Sequence, residues 1–446
     1  MKPSIFRLYD IRGSYPSQIN EKKVFDIATN LGAVFGKNKK IIVGYDARKS
    51  SLPLHLSVSN GLRLAGFRVV DAGLITYPMI YFLVNRLRAG GGIMVTASHN
   101  PKEYNGLKII NSSGTTLGGL DIFKKIKNRK SPIFHRDKFL EINKPGNSFQ
   151  KKYSQYLSKF FDSQKKMRIV IDGSDGTAGP VLEKLRFPKN IKPIFINIAP
   201  NGNFSSHGPD PTKRGATKKA AAMIFKHKAD LGVVFDGDGD RAVFLDDKGR
   251  QVRPELVWRL LAAKYDFLRT ICTVVDGFFM AILKKNALPS FKIAVKETKV
   301  GHLFVRKEAK NWNADVGIES SAHYYFEGDY FSGSGILAMI KVLNALSVLP
   351  YQLSDIIKML PKTERIPEIN RKFFRKKLPA LYLKVKKVFH GKTSKVYFLD
   401  GISVYTKGWW FNLRPSNTEN LIRINIEGLE RKKVLFLKKE LLKLID

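Results

Sequence analysis

The stretch LGVVFDGDGDR, residues 231–241, decides the class of fold and opens the question of function. Its first five residues form a short apolar run rich in Val, which is typical of a buried strand. The run ends abruptly in Asp236, Asp238 and Asp240, which are separated by single glycines and followed by Arg241. Polar residues directly after buried strands mark the sheet edge at which α/β proteins bind ligands. The stretch therefore predicts a strand of an α/β sheet with a binding loop at its carboxyl end.

The same pattern of an apolar run that ends in Gly, Asp or Ser recurs along the chain. The other runs are IIVGYD (41–46), IMVTAS (93–98), RIVIDG (168–173), CTVVDG (272–277) and VGIES (316–320). Helical patterns lie between them, and one apolar stripe at helical spacing consists of Tyr153, Tyr156, Leu157, Phe160 and Phe161. Alternating strands and helices predict α/β layers, and the repetition predicts three related α/β units.

The end of the chain has a different pattern. The segments GISVYT (401–406), KGWWFNLRPSNTEN (407–420) and LIRINIEG (421–428) alternate apolar and polar residues and precede a Lys-rich amphipathic helix. This pattern predicts a smaller C-terminal α+β domain. At about 150 residues per domain, a chain of this length has room for several domains. We place them at residues 1–147, 148–248, 249–358 and 359–446.

The charge of the chain is unusual, because 78 Lys and Arg residues against 38 Asp and Glu residues give a net charge of +40. A field of this sign attracts polyanions, so a polyanion- or nucleic-acid-binding protein is an alternative function. The basic residues are scattered, however, as in KNKK (37–40), KKIKNRK (124–130) and RKFFRKK (371–377), and no zinc-finger, RRM or basic-zipper pattern is present. We interpret the charge as a Lys-rich solvated surface and do not expect nucleic acid as a partner.

The sequence predicts a cytoplasmic protein with no membrane partner. The first seven residues contain no apolar core of a signal peptide, and Lys341 and Asn344 interrupt the longest apolar stretch, 336–349. Cys272 is the single cysteine, so that an internal disulfide is excluded. Oligomeric state is left open between monomer and homodimer.

The aspartate loop has the composition of a metal site. Three carboxylates at alternate positions can converge on one hard cation because the intervening glycines let the backbone turn tightly. Mg²⁺ suits a site that has few carboxylates and that leaves a coordination position for a phosphate oxygen. A calcium-binding EF-hand loop shares the spacing but needs Glu at its twelfth position, where this chain has Asp247. We therefore predict Asp236, Asp238 and Asp240 as ligands of Mg²⁺.

A second candidate loop is TASHNP (96–101), which follows the apolar run IMV and precedes Lys108. We expect Ser98, at the carboxyl end of a strand, to be exposed and able to act as a nucleophile. The GxSxG pattern of hydrolases is absent around it, so a hydrolase elbow is excluded. On its own, SHNP is more typical of a turn than of a catalytic loop, and its weight comes from the other motifs.

Three further segments offer groups that bind phosphate or sugar. RPSNTE (414–419) supplies a guanidinium, hydroxyls and an amide, a set that matches a phosphate dianion. GIESSAH (317–323) supplies a carboxylate, hydroxyls and an imidazole, and His302 precedes it in the chain. LYDIRG (8–13) adds Arg12 near a turn.

Together, FRLYDIRG (6–13), TASHNP, DGDGDR, the ExSxH segment (319–323) and RPSNTE resemble the motifs of the α-D-phosphohexomutase superfamily, most closely those of its phosphomannomutase/phosphoglucomutase branch. The resemblance spans the whole chain. It implies reversible 1,6-phosphoryl transfer on mannose and glucose phosphates through a phosphoserine, with Mg²⁺ as cofactor and a hexose 1,6-bisphosphate as intermediate and activator. It also implies three related α/β/α domains with mixed sheets and a smaller C-terminal α+β domain, with the active site in their central cleft. Residues 1–147 would carry the phosphoserine, 148–248 the metal, 249–358 the sugar contacts and 359–446 the phosphate contacts.

The resemblance implies a role for each motif residue. Ser98 carries the phosphoryl group and completes the metal site of Asp236, Asp238 and Asp240. Arg241 lies beside the phosphoserine, and the residues around the reacting hydroxyl are Tyr9, Arg12, Lys108 and His323. The general base is one of Lys108, Arg12 and His323, and the sequence does not choose among them. The sugar-reading pair is Glu319 and Ser321. The contacts to the non-reacting phosphate are His302, Arg414, Ser416, Asn417 and Thr418.

The chain departs from the family pattern at several positions. Ile318 and Ala322 replace the two glycines of the family's GExSGH loop, and Phe278 stands in a predicted strand where many members carry Lys, for which Lys299 is a candidate substitute. Asn417 occupies a position at which N-acetylglucosamine phosphate mutases tend to have Gly. We therefore rank a phosphoglucosamine or N-acetylglucosamine phosphate mutase second to the phosphomannomutase/phosphoglucomutase reading.

Overall fold

The computed structural model describes residues 3–36, 39–130, 132, 134, 148–265, 269–285, 293–389, 391, 395–416 and 420–445. The chain divides into two compact units. Unit 1 consists of Met1–Tyr265 and Ser321–Ile356, and unit 2 consists of Asp266–Ser320 and Ile357–Asp446. No helix within the described ranges is both long and apolar enough to span a membrane.

The first sheet of unit 1 is mixed and has the strand order β1-β5-β4-β2-β3, with β6 paired to β5. Its strands are β1 (Ile11–Ser14), β2 (Lys40–Tyr45), β3 (Arg68–Leu74), β4 (Gly91–Val95), β5 (Tyr104–Asn111) and β6 (Thr116–Leu117). The helices in this part of the chain are α1 (Glu21–Thr29), α2 (Gly32–Phe35), α3 (Ser51–Leu64), α4 (Tyr77–Arg86) and α5 (Gly119–Ile126). Strand β4 is buried along its whole length, as expected of a central strand covered on both faces.

The second sheet of unit 1 is also mixed, with the order β11-β10-β9-β7-β8. Its strands are β7 (Met167–Asp172), β8 (Ile191–Ile196), β9 (Leu231–Phe235), β10 (Ala242–Leu245) and β11 (Gln251–Val252). Its helices are α6 (Ser148–Ser158), α7 (Gly179–Leu182), α8 (Lys218–His227) and α9 (Pro254–Tyr265). Every residue of β9 is buried, and β9 runs parallel to β7 but antiparallel to β10, because the aspartate loop reverses the chain.

In unit 2, β12 (Arg269–Thr273) pairs in parallel with β13 (Ala294–Thr298) and β14 (Val316–Glu319). Helices α10 (Gly277–Lys285) and α11 (His302–Asn311) follow β12 and β13. The chain then returns to unit 1 with β15 (His323–Phe326) and α12 (Gly335–Ser347), and α13 (Leu353–Met359) follows. Helix α12 is buried on nearly all sides, which explains its apolar sequence without a membrane.

The C-terminal part of unit 2 is an antiparallel sheet covered by helices. Its strands are β16 (Glu364–Arg365), β17 (Ile369–Lys372), β18 (Lys395–Tyr397), β19 (Ile402–Tyr405), β20 (Trp409–Pro415) and β21 (Leu421–Gly428). Helices α14 (Leu378–Phe389) and α15 (Arg431–Ile445) pack on it around a core that includes Phe411, Ile424 and Leu437. The predicted α+β arrangement of this segment is present.

The strands predicted from apolar runs are all present, with ends within a few residues of the sequence estimate. The helix predicted from the stripe at Tyr153 is α6, but it ends at Ser158, so that Phe160 and Phe161 lie beyond it. One prediction was wrong. Phe278 lies in the first turn of α10 and not in a strand, since β12 already ends at Thr273.

Candidate functional site

The three aspartates of the loop between β9 and β10 are buried and converge. Each offers an oxygen to a cluster in which the ligand atoms lie within 4.8 Å of one another. The loop is held closed by Asp236 Oδ1, which accepts from the backbone N–H of Asp240 at 3.0 Å and of Arg241 at 3.2 Å. The left-handed φ of 75° at Gly239 permits this turn, because residues with a Cβ atom rarely adopt it.

The electrostatics of the cluster are those of like charges forced together. Burial, together with the carboxylates of Asp240 and Asp238, raises the pKa of Asp236 well above its ordinary value. Burial also opposes the charged form of Asp240, but Lys108 and then His323 outweigh it and hold the pKa of Asp240 well below its ordinary value. Cations beside the triad therefore decide which carboxylates are ionised.

Lys108 projects from β5 into the acidic cluster. Its Nζ donates to Asp238 Oδ2 at 2.8 Å and to Asp240 Oδ2 at 2.7 Å, and it lies 4.1 Å from the centre of the Tyr77 ring. Burial disfavours the charged ammonium, yet the neighbouring carboxylates raise the pKa of Lys108 above its ordinary value. Lys108 is therefore a cation in this arrangement.

The donor set of the loop fits a divalent cation. The Lys108 ammonium and the Arg241 guanidinium, whose Nε lies 3.8 Å from Asp236 Oδ2, face three carboxylates, so the cluster keeps room for more positive charge. Asp238 Oδ1 is buried and has no hydrogen-bond partner among the described residues, which leaves a lone pair for a metal. Oxygen ligands of this kind are those that Mg²⁺ and Ca²⁺ prefer.

Ser98 lies directly against the aspartate cluster. Its Oγ donates to Asp236 Oδ2 at 2.9 Å, and its backbone N–H donates to Thr96 Oγ1 at 2.8 Å. The expectation of an exposed serine was wrong, because only 3% of Ser98 is accessible. The reason is tertiary: the loop after β4 faces the loop after β9, and each closes the other from solvent.

Guanidinium and imidazole groups contact the serine loop and the aspartate cluster. Arg241 Nη2 lies 2.8 Å from His99 Nδ1, and His323 Nε2 lies 3.2 Å from Asp240 Oδ1. Burial, with Arg241 and then Arg12, holds the pKa of His99 well below its ordinary value, so this ring is neutral. Arg12 donates to Asn100 Oδ1 at 2.6 Å and pairs with Asp10.

Unit 1 thus brings together Ser98, the three aspartates and most of the predicted catalytic residues. Ser321 Oγ lies 2.8 Å from His323 Nδ1, which ties the predicted sugar-reading serine to the predicted catalytic histidine. Tyr9 lies half-buried in the bend before β1.

The other predicted site residues lie in unit 2. Glu319 ends β14 and is buried, and His302 begins α11. Arg414 lies in β20 and donates to Glu368 Oε2 at 3.0 Å, and Ser416 is buried just after that strand. Asn417 and Thr418 lie outside the described residues.

Two residues near Ser98 were missed as site residues. Thr96 Oγ1 lies 3.1 Å from Asp238 Oδ2, and His99 contacts both Arg241 and Ser98. Both stand in the TASHNP motif, so their position in that loop was the available signal. Their contacts come from segments about 140 residues away, which no local pattern reveals.

Two of the departures from the family pattern, Phe278 and Ile318, are buried in different settings, and the candidate substitute Lys299 lies at the surface. Phe278 packs in an apolar cluster with Val274, Val275 and Trp410, so it fills space at the start of α10. Ile318 is fully buried in β14. Lys299 is exposed, with its Nζ 5.7 Å from the centre of the Phe304 ring.

Ala322 retains the backbone conformation that suits the glycine usual at this position in the family. Its φ is 67°, in the left-handed region. Its backbone carbonyl accepts from Ala242 N–H at 3.0 Å, which helps to hold this turn before β15. The segment therefore carries backbone strain that a glycine would remove.

Models of four domains of one protein family match the chain in order. The α/β/α domains I, II and III of phosphoglucomutase/phosphomannomutase match residues 3–131, 151–249 and 262–363, and its C-terminal domain matches residues 368–444. A phosphomannomutase of Methanocaldococcus jannaschii is 31% identical over 96% of this chain and 94% of its own length. A phosphomannomutase of Vibrio cholerae is 30% identical over 95% of this chain and 94% of its own length.

A solved structure shows the same fold. The phosphoglucomutase/phosphomannomutase family protein from Burkholderia thailandensis superposes with a TM-score of 0.84 over 100% of this chain and 97% of its own, at 22% identity. Fold and matches define an isomerase of three α/β/α domains and a C-terminal domain. The chain belongs to the phosphoglucomutase/phosphomannomutase family, within the α-D-phosphohexomutase superfamily. The predicted superfamily, architecture and class of enzyme are confirmed.

We expect Ala322→Gly to stabilise the protein. Left-handed backbone costs a residue with a Cβ atom about 1–2 kcal/mol, and the greater freedom of glycine in the unfolded chain offsets about 0.5–1 kcal/mol of that relief. The expected net gain in free energy of unfolding is a few tenths to about 1 kcal/mol, measurable by denaturant titration. Ala309→Gly, at a buried position inside α11, is the control and should lose about 2 kcal/mol, from helix propensity and from the loss of a buried methyl group. A less stable Ala322→Gly variant would contradict the strain assignment.

Proposed function

We propose that the protein catalyses reversible 1,6-phosphoryl transfer on glucose and mannose phosphates through phosphorylated Ser98. The observation that carries the proposal is the contact of Ser98 Oγ with Asp236 Oδ2 at 2.9 Å, at the edge of a buried carboxylate triad. A phosphoryl group on this oxygen would lie beside the metal candidates and beside Arg241. Phosphoryl transfer depends chiefly on in-line placement and neutralised charge, and the cations at this cluster, with a metal on its carboxylates, would supply the charge neutralisation.

The proposed first half-reaction conserves atoms and charge. A sugar hydroxyl oxygen attacks phosphorus, the bond from phosphorus to Ser98 Oγ breaks, and the product is a hexose 1,6-bisphosphate. The hydroxyl proton passes to a base, and Ser98 Oγ regains a proton. The second half-reaction reverses these steps with the other phosphate and returns a phosphoryl group to Ser98. By the same step, a trace of hexose 1,6-bisphosphate would phosphorylate unmodified Ser98 and so serve as activator. The candidate bases are Lys108, Arg12 and His323, and the raised pKa of Lys108 disfavours it, because its ammonium is already protonated.

We assign Mg²⁺ to Asp236, Asp238 and Asp240, with Ser98 or its phosphate as a further ligand. When bound, the ion supplies Lewis-acid stabilisation of phosphate charge. The chain's own residues orient the groups: Lys108 holds two of the carboxylates, and Asp236 Oδ1 fixes the backbone of the loop. Arg241 provides a fork-shaped cation suited to phosphate oxygens.

The contributions of unit 2 are proposed on the family resemblance. Glu319, with Ser321, contacts sugar hydroxyls, and His302 and the loop at Arg414 hold the non-reacting phosphate. The buried position of Glu319 and the pairing of Arg414 with Glu368 agree with ordered binding groups. We also propose domain boundaries at residues 147, 248 and 358. The proposed location is cytoplasmic, and the proposed oligomeric state is a monomer or a homodimer.

Ser98→Ala should abolish transfer and leave the fold intact, because it removes the covalent acceptor and one small polar group. Intact-mass spectrometry and peptide mapping after incubation with glucose 1,6-bisphosphate should locate one phosphoryl group on Ser98 in the unaltered protein and none in the variant. Ser112→Ala, at an exposed serine, is the control and should keep full activity. A phosphoryl group mapped to another residue would refute the assignment.

Asp238→Asn should weaken Mg²⁺ binding by about tenfold or more, since it removes a negative charge and replaces one ligand oxygen with an amide. Isothermal titration calorimetry measures this directly, without turnover. Asp121→Asn, at a solvent-exposed aspartate on α5, is the matched control and should leave the affinity unchanged. Equal affinity in all three proteins would rule out the triad as the metal site.

Glucose and mannose phosphates should be converted with similar efficiency. They differ only at C2, whereas the resemblance assigns Glu319 and Ser321 to the 3- and 4-hydroxyls. No buried group is then left unpaired by the epimer, so the two kcat/KM values should lie within about tenfold, and Glu319→Gln should lower both together. A ratio above roughly 10⁴ would show that an unassigned residue contacts the C2 hydroxyl.

A further inference from the structure

The backbone of Ser98 has an unusual conformation. Its φ is 51°, in the left-handed region that residues with a Cβ atom rarely adopt. A non-glycine residue keeps such a conformation only where surrounding interactions impose it. The interactions that hold the Ser98 backbone in this conformation therefore also set the direction of the Ser98 hydroxyl.

Arg48 binds the loop that contains Ser98 through three backbone carbonyls. Its Nη2 donates to Ser98 O at 2.6 Å and to Asn100 O at 2.8 Å, and its Nη1 donates to Pro101 O at 2.7 Å. Only 2% of Arg48 is accessible, and its guanidinium carbon lies 5.2 Å from the centre of the Phe204 ring. Because this buried guanidinium donates to three carbonyls of the loop, it fixes the path of the loop backbone.

Asp46, at the end of β2, anchors this arginine. Its Oδ2 accepts from Arg48 Nε at 3.0 Å and from Thr96 Oγ1 at 2.7 Å. Thr96 Oγ1 in turn accepts from the backbone N–H of Ser98 at 2.8 Å. Both backbone polar groups of Ser98 are thus connected to one carboxylate, the N–H through Thr96 and the C=O through Arg48.

We propose that Arg48 is a positioning residue that, anchored on Asp46, holds Ser98 in its left-handed conformation and so directs Ser98 Oγ toward Asp236. The inference rests on the proposed role of Ser98 as phosphoryl carrier. Arg48 itself touches no reacting atom. Its removal would let the loop relax and move the phosphoryl group out of line, and a displacement of about 1 Å can cost about 10²-fold in rate.

Arginine and lysine differ in what they can do here. The planar guanidinium donates to three carbonyls and one carboxylate from three separate nitrogens. An ammonium donates from a single nitrogen and cannot span these acceptors. Arg48→Lys therefore keeps the positive charge beside Asp46, which protects the fold, and removes most of the loop contacts. Arg168→Lys is the matched control, because Arg168 is exposed and donates to a single carbonyl, that of His227, at 3.1 Å.

The test compares the full-length unaltered protein, Arg48→Lys and Arg168→Lys by steady-state kinetics, thermal melting and amide hydrogen exchange. For Arg48→Lys we expect kcat to fall by about 10- to 100-fold with KM within about twofold. Exchange should rise at residues 98–101 and stay unchanged in β4. Arg168→Lys should match the unaltered protein in all measurements.

Each other result overturns the inference. A kcat within twofold of the unaltered value, or unchanged exchange at residues 98–101, would show that Arg48 does not position the loop. A variant that melts globally earlier, with faster exchange throughout β4, would make Arg48 a residue of general stability. Mapping the phosphoryl group in the unaltered protein separates the two proposals: without phosphate on Ser98 the proposed function fails, whereas with it only the role of Arg48 is at stake.

Discussion

The mutual repulsion of three buried carboxylates is the constraint on which the centre of unit 1 depends. Asp236, Asp238 and Asp240 follow one another within five residues and are almost inaccessible to water. Buried like charges are costly unless cations compensate them, and Lys108 contacts two of the three. The surrounding chain brings basic groups and hydrogen-bond donors to this point, and the remaining negative charge makes the cluster a candidate metal site.

The serine loop faces the same cluster under a different constraint. Its backbone conformation at Ser98 is maintained by groups on both sides, Thr96 and Arg48, and both lead to Asp46. The first sheet therefore supplies hydrogen-bonded support behind Ser98, the proposed phosphoryl carrier, and the second sheet supplies the charge in front of it. An enzyme that transfers a phosphoryl group needs this combination, because a small displacement of the donor oxygen spoils in-line attack.

Unit 2 shows the same use of an anchored guanidinium. Glu368 accepts from Arg414 at 3.0 Å and from Arg423 at 2.8 Å, and these two cations, acting against the burial of the group, hold the pKa of Glu368 below its ordinary value. An ionised Glu368 orients Arg414 while leaving the pair of arginines with excess positive charge. Some of the basic residues behind the net charge of +40 are therefore held in place by acidic side chains, as Arg414 and Arg423 are by Glu368.

The sequence by itself determined the fold class, the domain order and the motifs, because strand periodicity and the DGDGDR and TASHNP loops are local patterns. Local patterns also identified Ser98 and the three aspartates, which the structure brings into contact. Only the tertiary structure decided that Ser98 is buried, that Phe278 belongs to a helix and that Arg48 contacts the Ser98 loop. These features depend on residues about 50 to 140 positions apart, and contacts at that separation follow from how strands pair and loops meet, which periodicity along the chain does not encode.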